Sequence, residues 1–285
     1  MKINTNIASL AAQEANTNTN NKLTNSLSKL SSGLRINKAS DDASGLAIAD
    51  KLRTQASSIG QAISNGNSAV AMMQIADKAM AEQSNILDIV KTKLIQAATD
   101  TTSEEGRTAI GKDVDKLLNQ LNNIAEQTNY NGTTLLQGAT SGSAAATLTF
   151  QMGETSSDTI GSTGGVRSNV SGLTLEALQS AAASGGTTAF TAAASRGFLD
   201  DIDSALNTLN GWRADFGSTQ NQLESAVRNQ MTQQTNIKAA ESVIRDVDYA
   251  AESANFNKQN IIAQAGTYAM SQANAVQQNV TRLLQ

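Results

Sequence analysis

Phe198-Leu199-Asp200-Asp201-Ile202-Asp203-Ser204-Ala205 opens the stretch on which the fold turns. Stepping onward alternately by four and three residues gives Leu209, Trp212, Phe216, Thr219, Leu223 and Ala226. The same register continues through Gln230, Gln233, Ile237, Ala240, Ile244, Val247, Ala251, Ala254, Lys258, Ile261, Ala265 and Tyr268. From Phe198 to Tyr268, 17 of these 21 positions are apolar. A heptad seam sustained that far specifies a helix packed lengthwise against another helix. If helical throughout, it would reach about 105 Å at ~1.5 Å per residue.

The N-terminal half carries the answering seam. From Ile48 the same stepping gives Leu52, Gln55, Ile59, Ala62, Gly66, Ala69, Met73, Ala76, Met80, Gln83, Leu87, Val90, Leu94 and Ala97. A shorter helix is expected after the turn-like Thr101–Gly106, with a seam of Ile110, Val114, Leu117, Leu121 and Ile124, ended by the turn pair Asn131-Gly132. Before Ser40 a separate stripe runs Leu23, Leu27, Leu30 and Leu34, with Ile3, Ile7 and Leu10 upstream at the same spacing. Ser40-Asp41-Asp42 reads as a helix start, a serine cap followed by early acids. The fold class is therefore mainly α: a long antiparallel helical coiled-coil bundle with a small β-hairpin region mid-chain.

That middle is marked by glycine, 13 of the 20 falling between Gly132 and Gly217. Thr147 to Met152 alternates with period two, and Gly153 to Asp158 turns the chain toward Thr159-Ile160, which predicts a hairpin. Residues 161–172 read as loop, Leu173 to Ala183 as a short helix, and Ser184 to Ser195 as a small-residue linker. The Ser/Thr-rich stretch 140–172 is expected to face outward, bare or glycosylated. The acceptor triplets beginning at Asn131, Asn169 and Asn279 carry little weight in so Asn/Thr-rich a chain.

Composition narrows the function. The chain of 285 residues has no histidine and no cysteine, removing the commonest general base, thiolate chemistry and zinc–sulfur sites. Asp41 and Asp42 are read as helix-start acids rather than a paired-carboxylate or metal site. A net charge of -4 is far from that of a nucleic-acid binder. No apolar run is long enough to span a membrane, and no cleavable signal is expected after Met1. Proline, which breaks helix interiors, is absent. Leu, Ile, Val and Phe total 57 residues while alanine alone supplies 44, so the chain looks short of core for a compact monomer. The expectation is a structural subunit with no enzymatic activity and no cofactor.

Several longer motifs go further. Ser26-Leu27-Ser28-Lys29-Leu30-Ser31-Ser32-Gly33-Leu34-Arg35-Ile36-Asn37, followed by Asp41 to Asp50, resembles the N-terminal signature of bacterial flagellins. Glu126 to Gly132 matches that family's mid-domain motif, and Ile244 to Glu252, Gln264 to Thr267 and Gln278 to Leu284 match its C-terminal end. The resemblance covers roughly 1–152 and 196–285. It implies a subunit of the flagellar filament, a helical homopolymer. It further implies export by the flagellar type III apparatus with a chaperone, and contact with filament cap and hook-associated proteins.

Mapped onto this chain, residues 1–44 and 241–285 would form an inner tube and 45–240 a surrounding shell, its small hairpin and loop region at about 138–195. The short middle implies a form without outer domains. The tube's self-assembly residues would be Ile3, Ile7, Leu10, Leu23, Leu27, Leu30, Leu34, Ile244, Val247, Ile261, Val276, Val280, Leu283 and Leu284. Ile48, Leu52, Ile59, Met73, Met80, Leu87, Leu94, Leu117, Leu121, Phe198, Ile202, Leu209 and Leu223 would form the shell's core seam. The family's Toll-like receptor reads Leu-Gln-Arg-Val-Arg-Glu-Leu on the shell, where this chain has Leu87-Asp88-Ile89-Val90-Lys91-Thr92-Lys93. That divergence resembles flagellins of the Campylobacter group and implies weak or absent recognition.

Residues 1–42 hold eight Leu, Ile, Val and Phe and 241–285 hold ten. Burying them at ~1.5–3 kcal/mol each barely offsets ordering costs of ~1–2 kcal/mol per residue. Both ends are thus expected to be disordered in the free monomer and to fold on assembly. The alternatives are a hook–filament junction protein and a non-flagellar coiled-coil scaffold.

Overall fold

The computed structural model describes residues 5–138, 143–162, 164–184 and 190–283. Their order is α1 (Ile7–Ser32), α2 (Ala43–Ala98), α3 (Glu104–Gln127), β1 (Asn129–Tyr130), β2 (Thr133–Thr134), β3 (Thr149–Gln151), β4 (Thr159–Gly161), α4 (Glu176–Ala183), α5 (Ala192–Arg245) and α6 (Tyr249–Leu283). The chain is mainly helical, with two small antiparallel strand pairs. It divides into two compact units, Met1–Ser57 with Gln234–Gln285, and Ser58–Gln233, so α2 and α5 each contribute to both.

The unit Ser58–Gln233 holds the main core. Every stepped position of α2 from Ile59 through Ala62, Gly66, Ala69, Met73, Ala76, Met80, Gln83, Leu87, Val90 and Leu94 to Ala97 is buried. Ile202, Ala205, Leu209, Phe216, Thr219 and Leu223 of α5 are buried too, while Phe198 and Trp212 pack partly buried against the cluster. A Cβ at Gly66 would lie 2.5 Å from Val227 Cγ2, so glycine there lets the two long helices approach closely. Two cross-helix ion pairs flank the seam, Lys91 with Asp203 and Arg213 with Asp77.

Helix α3 begins earlier than the Thr101–Gly106 turn predicts. Ser103 caps it, accepting from the Gly106 amide at 3.1 Å, and Glu104 and Glu105 complement the first turn. Its buried stripe is Ile110, Val114, Leu118, Leu121 and Ala125, whereas Leu117 flanks it half-buried. The Asn131-Gly132 pair takes positive φ at both residues (50° and 83°), the geometry of a tight primed turn, and joins β1 to β2. The expected second hairpin pairs β3 with β4, Phe150 opposite Ile160.

The stretch after that hairpin corrects the outward-facing expectation. Val166, Ser168, Asn169, Val170 and Leu173 are all buried. Buried Gln83 holds this segment, its side-chain amide donating to the Leu121 carbonyl at 3.1 Å and the Ser168 carbonyl at 2.9 Å. Asn122 Oδ1 accepts from the Val170 amide at 2.8 Å. A loop whose backbone groups find such partners can line a core despite its Gly/Ser/Thr composition. Asn169 is likewise tied inward, to Gln137 and the Gly172 amide.

In the other unit two features differ from the sequence reading. Asp42, not Ser40, caps α2, accepting from the Gly45 amide at 2.9 Å. The single register expected from Phe198 to Tyr268 is broken at Asp246–Asp248. There the backbone leaves the helix to pair with the segment after α1. The Arg35 amide donates to the Arg245 carbonyl at 2.7 Å and the Val247 amide to the Gly33 carbonyl at 3.0 Å. Asp248 then restarts the helix, its Oδ1 accepting from the amides of Ala250 and Ala251. These bonds take backbone groups out of the helical ladder, and the carboxylate supplies a new N-cap.

Candidate assembly surface

Helices α1 and α6 form an antiparallel pair whose inward face mixes polar and apolar side chains. The face that α1 turns inward is Asn6, Ser9, Ala12, Asn16, Thr19, Leu23, Ser26 and Leu30, polar at five of its eight positions. Thr19 and Ser26 are the buried residues of α1. The side-chain amide of Asn6 donates to the Ala273 carbonyl at 3.1 Å, and the Ser26 hydroxyl donates to the Glu252 carboxylate. From α6 the inward positions are Glu252, Phe256, Gln259, Ala263, Gly266, Met270 and Ala273. They lie one or two residues off the stepped register of Ala251, Ala254, Lys258, Ile261, Ala265 and Tyr268, which the break at Asp246–Asp248 interrupts.

Leu23, Leu30, Phe256 and Met270 face inward with these groups, but several other large apolar side chains face away. Ile7 is 66% exposed, Ile261 67% and Tyr268 75%, and Leu10, Leu27 and Val276 are each more than half exposed. In this unit the described buried hydrophobics are Ile36, Ala49 and Ala56. Of the fourteen exposed large hydrophobics among the described residues, ten lie in this unit and four in the other.

The sequence-predicted assembly residues therefore fall into groups. Ile7, Leu10, Leu27, Ile261 and Val276 lie exposed on the pair. Leu23, Leu30, Leu34, Ile244 and Val247 are half-buried within the unit. Ile3 and Leu284, and the side chains of Val280 and Leu283, lie outside the described residues. Of the seam residues, Ile48 is 51% exposed and Leu52 half-buried, with Gly45 and Ala49 taking the inward positions. Sequence reasoning missed the polar face of α1. Its residues recur at three- and four-residue spacing, but a search for hydrophobic periodicity passes over them.

At the junction, Arg245 reaches Asp50 at 3.7 Å and Glu241 at 4.0 Å, beside an open groove lined by Leu34, Arg53 and Lys238. The Asp41 carboxylate accepts from the amides of Asn37 and Lys38, both at 3.0 Å. These bonds, that from Lys38 foremost, hold its pKa below the usual carboxylate value. Among the described residues no cluster of acidic side chains is placed to hold a metal ion, and no helix is long and apolar enough to cross a membrane.

Along α2, Leu87 and Val90 are buried while Asp88, Ile89 and Thr92 face out. Lys91 is engaged by Asp203, and Lys93 by Asp113 at 3.2 Å.

The bacterial flagellin N-terminal helical region matches residues 3–141, and the bacterial flagellin C-terminal helical region matches 199–284. This chain belongs to the bacterial flagellin family. A flagellin of Bacillus subtilis is 33% identical over 309 aligned positions that cover all of both chains. Flagellin B of Helicobacter pylori is 50% identical over 167 residues, 56% of this chain, which matches only 32% of that longer protein. A solved structure described as a flagellar hook-associated protein of Vibrio parahaemolyticus covers 72% of this chain and 99% of its own, with TM-score 0.60 and 13% identity. That likeness speaks to the fold alone. Family membership makes the chain a structural subunit of the bacterial flagellar filament.

Proposed function

We propose that this flagellin polymerises through its α1–α6 pair, whose apolar residues are covered by neighbouring copies, and that it acts without catalysis. The carrying observation is what that pair leaves exposed: Ile7, Leu10, Leu27, Ile261, Tyr268 and Val276 lie outside, while Asn6, Asn16, Thr19, Ser26, Glu252 and Gln259 are among the residues turned inward. A helix pair that keeps its large side chains in water has little reason to persist alone, since hydrophobic burial is the dominant favourable contribution to folding. The ends thus fold on assembly, and the unit Ser58–Gln233 is the stable body of the free subunit. Purified full-length protein under polymerising conditions should give long helical filaments by electron microscopy. Discrete oligomers would refute the proposal.

In a dilute monomer, amide exchange should be fast across residues 5–35 and slow along α2 from Ile59 to Ala97. Strong protection of α1 would contradict folding on assembly. The filament lies outside the cell, reached by the flagellar export route with a chaperone and finished by cap and hook-associated proteins. The Toll-like receptor surface is divergent, with Ile89 outward and both lysines occupied by Asp203 and Asp113. A receptor reporter assay should read little or no activation, and potent signalling would overturn that.

A further inference from the structure

We infer that Asn131 is a site of spontaneous backbone modification, a deamidation from which the fold protects the other Asn-Gly pairs of this chain. An Asn-Gly pair reacts without an enzyme because glycine puts no side chain in the way of its own nitrogen. That nitrogen gives up its proton and attacks the asparagine Cγ. The new C–N bond closes a five-membered imide, and the side-chain nitrogen leaves as ammonia. Water then opens the ring at either carbonyl, leaving aspartate or isoaspartate, its isomer with a lengthened backbone. The chain holds three such pairs, Asn65-Gly66, Asn131-Gly132 and Asn210-Gly211, and composition does not rank them.

The folded chain does rank them. Attack requires rotation about the asparagine Cα–C bond, to bring the next nitrogen beside Cγ. In the interiors of α2 and α5 that rotation breaks the helical ladder. It also breaks packing: a Cβ at Gly66 would lie 2.5 Å from Val227 Cγ2 and 2.7 Å from Met152 Cε, and Asn210 adjoins the fully buried Leu209. Asn131 and Gly132, by contrast, are exposed at the tip of the β1–β2 hairpin. Closed, their turn is unreactive too, because at φ 50° Asn131 is left-handed and the next nitrogen turns away from its side chain. Opening it costs little. Two rungs hold the hairpin, Asn129 opposite Thr134 and Tyr130 opposite Thr133, and so short a two-stranded ribbon is marginal by itself. Asn131 thus reacts through brief local openings of the kind loops undergo.

The two products differ in effect. Aspartate still suits the turn. Isoaspartate adds a methylene to the main chain, so a two-residue turn no longer brings Thr133 opposite Tyr130. Just beyond lie Leu135 and Leu136, both buried. The Leu135 amide donates to the Thr128 carbonyl at 3.2 Å, and the Leu136 carbonyl accepts from the Ser168 amide at 3.0 Å. Isoaspartate at position 131 therefore slackens an anchor of the buried segment 166–173, increasingly as the subunit ages.

The test incubates full-length monomer at neutral pH and maps it site by site by mass spectrometry, reading the mass gain of amide-to-acid conversion. Asn131 should lose its amide at least about tenfold faster than Asn65 or Asn210. Loss at either helical site as fast as at Asn131 would overturn the assignment. Thr133→Gly, an exposed change that lowers strand propensity, should speed loss at Asn131 roughly two- to fivefold and leave the helical sites unchanged. An unaltered rate at Asn131 would overturn gating by the hairpin. Asn131→Gly keeps a turn-forming pair without the reactive amide. The Leu135 amide should exchange faster in aged parent protein than in fresh, but not in aged Asn131→Gly. Equal loss of protection in both would overturn the effect on the core.

Discussion

Replacing Ile261 with serine separates assembly from folding. Ile261 is 67% exposed on the outward stripe of α6, with Tyr268 two turns further along the same stripe. Full burial of a large aliphatic side chain contributes ~1.5–3 kcal/mol, so two-thirds of that, about 1–2 kcal/mol, is still available to a neighbouring subunit. Each subunit in a polymer makes this contact, and ~1.4 kcal/mol corresponds to a tenfold change in an equilibrium constant. Ile261→Ser should therefore raise the critical concentration for polymerisation by roughly 5- to 30-fold. Isoleucine and serine have similar helix propensities, and exposed substitutions usually change stability by less than ~0.5 kcal/mol, so thermal unfolding of the monomer should be unchanged. Sedimentation across a concentration series measures the first quantity and circular dichroism melting the second. An unchanged critical concentration would refute the outward stripe as an assembly surface. A clear drop in the monomer's unfolding temperature would mean that Ile261 already serves the free subunit.

Truncating the other unit's core should do the reverse: Leu87→Ala, fully buried on α2, should cost about 2–5 kcal/mol in denaturant unfolding of the monomer. Gly33 ends α1 at φ 73°, with a Cβ there only 3.1 Å from the Tyr249 hydroxyl. Gly33→Ala should cost on the order of 1 kcal/mol, read as weaker filament stability rather than weaker monomer stability. Asp41 has a depressed folded pKa, so its contribution is present above the unfolded value near ~4 and is lost as pH falls through the folded one. Amide exchange at Asn37 and Lys38 in filaments should accordingly accelerate below about pH 4, and Asp41→Asn should remove that pH dependence. Persistent protection of those amides in acid would contradict the assignment.

The long seam was legible because α2 and α5 bury one face along most of their length. Stepping from Ile59 to Ala97 therefore met a buried residue every time, and stepping from Ile202 to Leu223 nearly so. The family was legible too, in long motifs at both ends that the comparisons matched independently. The segment 164–172 was misread as solvated because its burial rests on backbone bonds to Gln83, Asn122 and Leu136, which composition does not announce. Leu117 was taken for its neighbour Leu118 because two adjacent leucines leave a one-residue ambiguity in phase.

By itself the sequence determined that both chain ends are amphipathic helices, since a proline-free heptad pattern leaves little else available. It could not say which stripe faces the chain's own partner. Periodicity locates an apolar face but is silent about whether that face is covered from within or by another molecule. Only the tertiary structure decided this. The strand-like pairing of Gly33–Arg35 with Arg245–Val247 ends α5, and Asp248 restarts the helix out of the stepped phase. That offset turns Glu252, Gln259 and Gly266 toward α1 and leaves Ile261 and Tyr268 exposed.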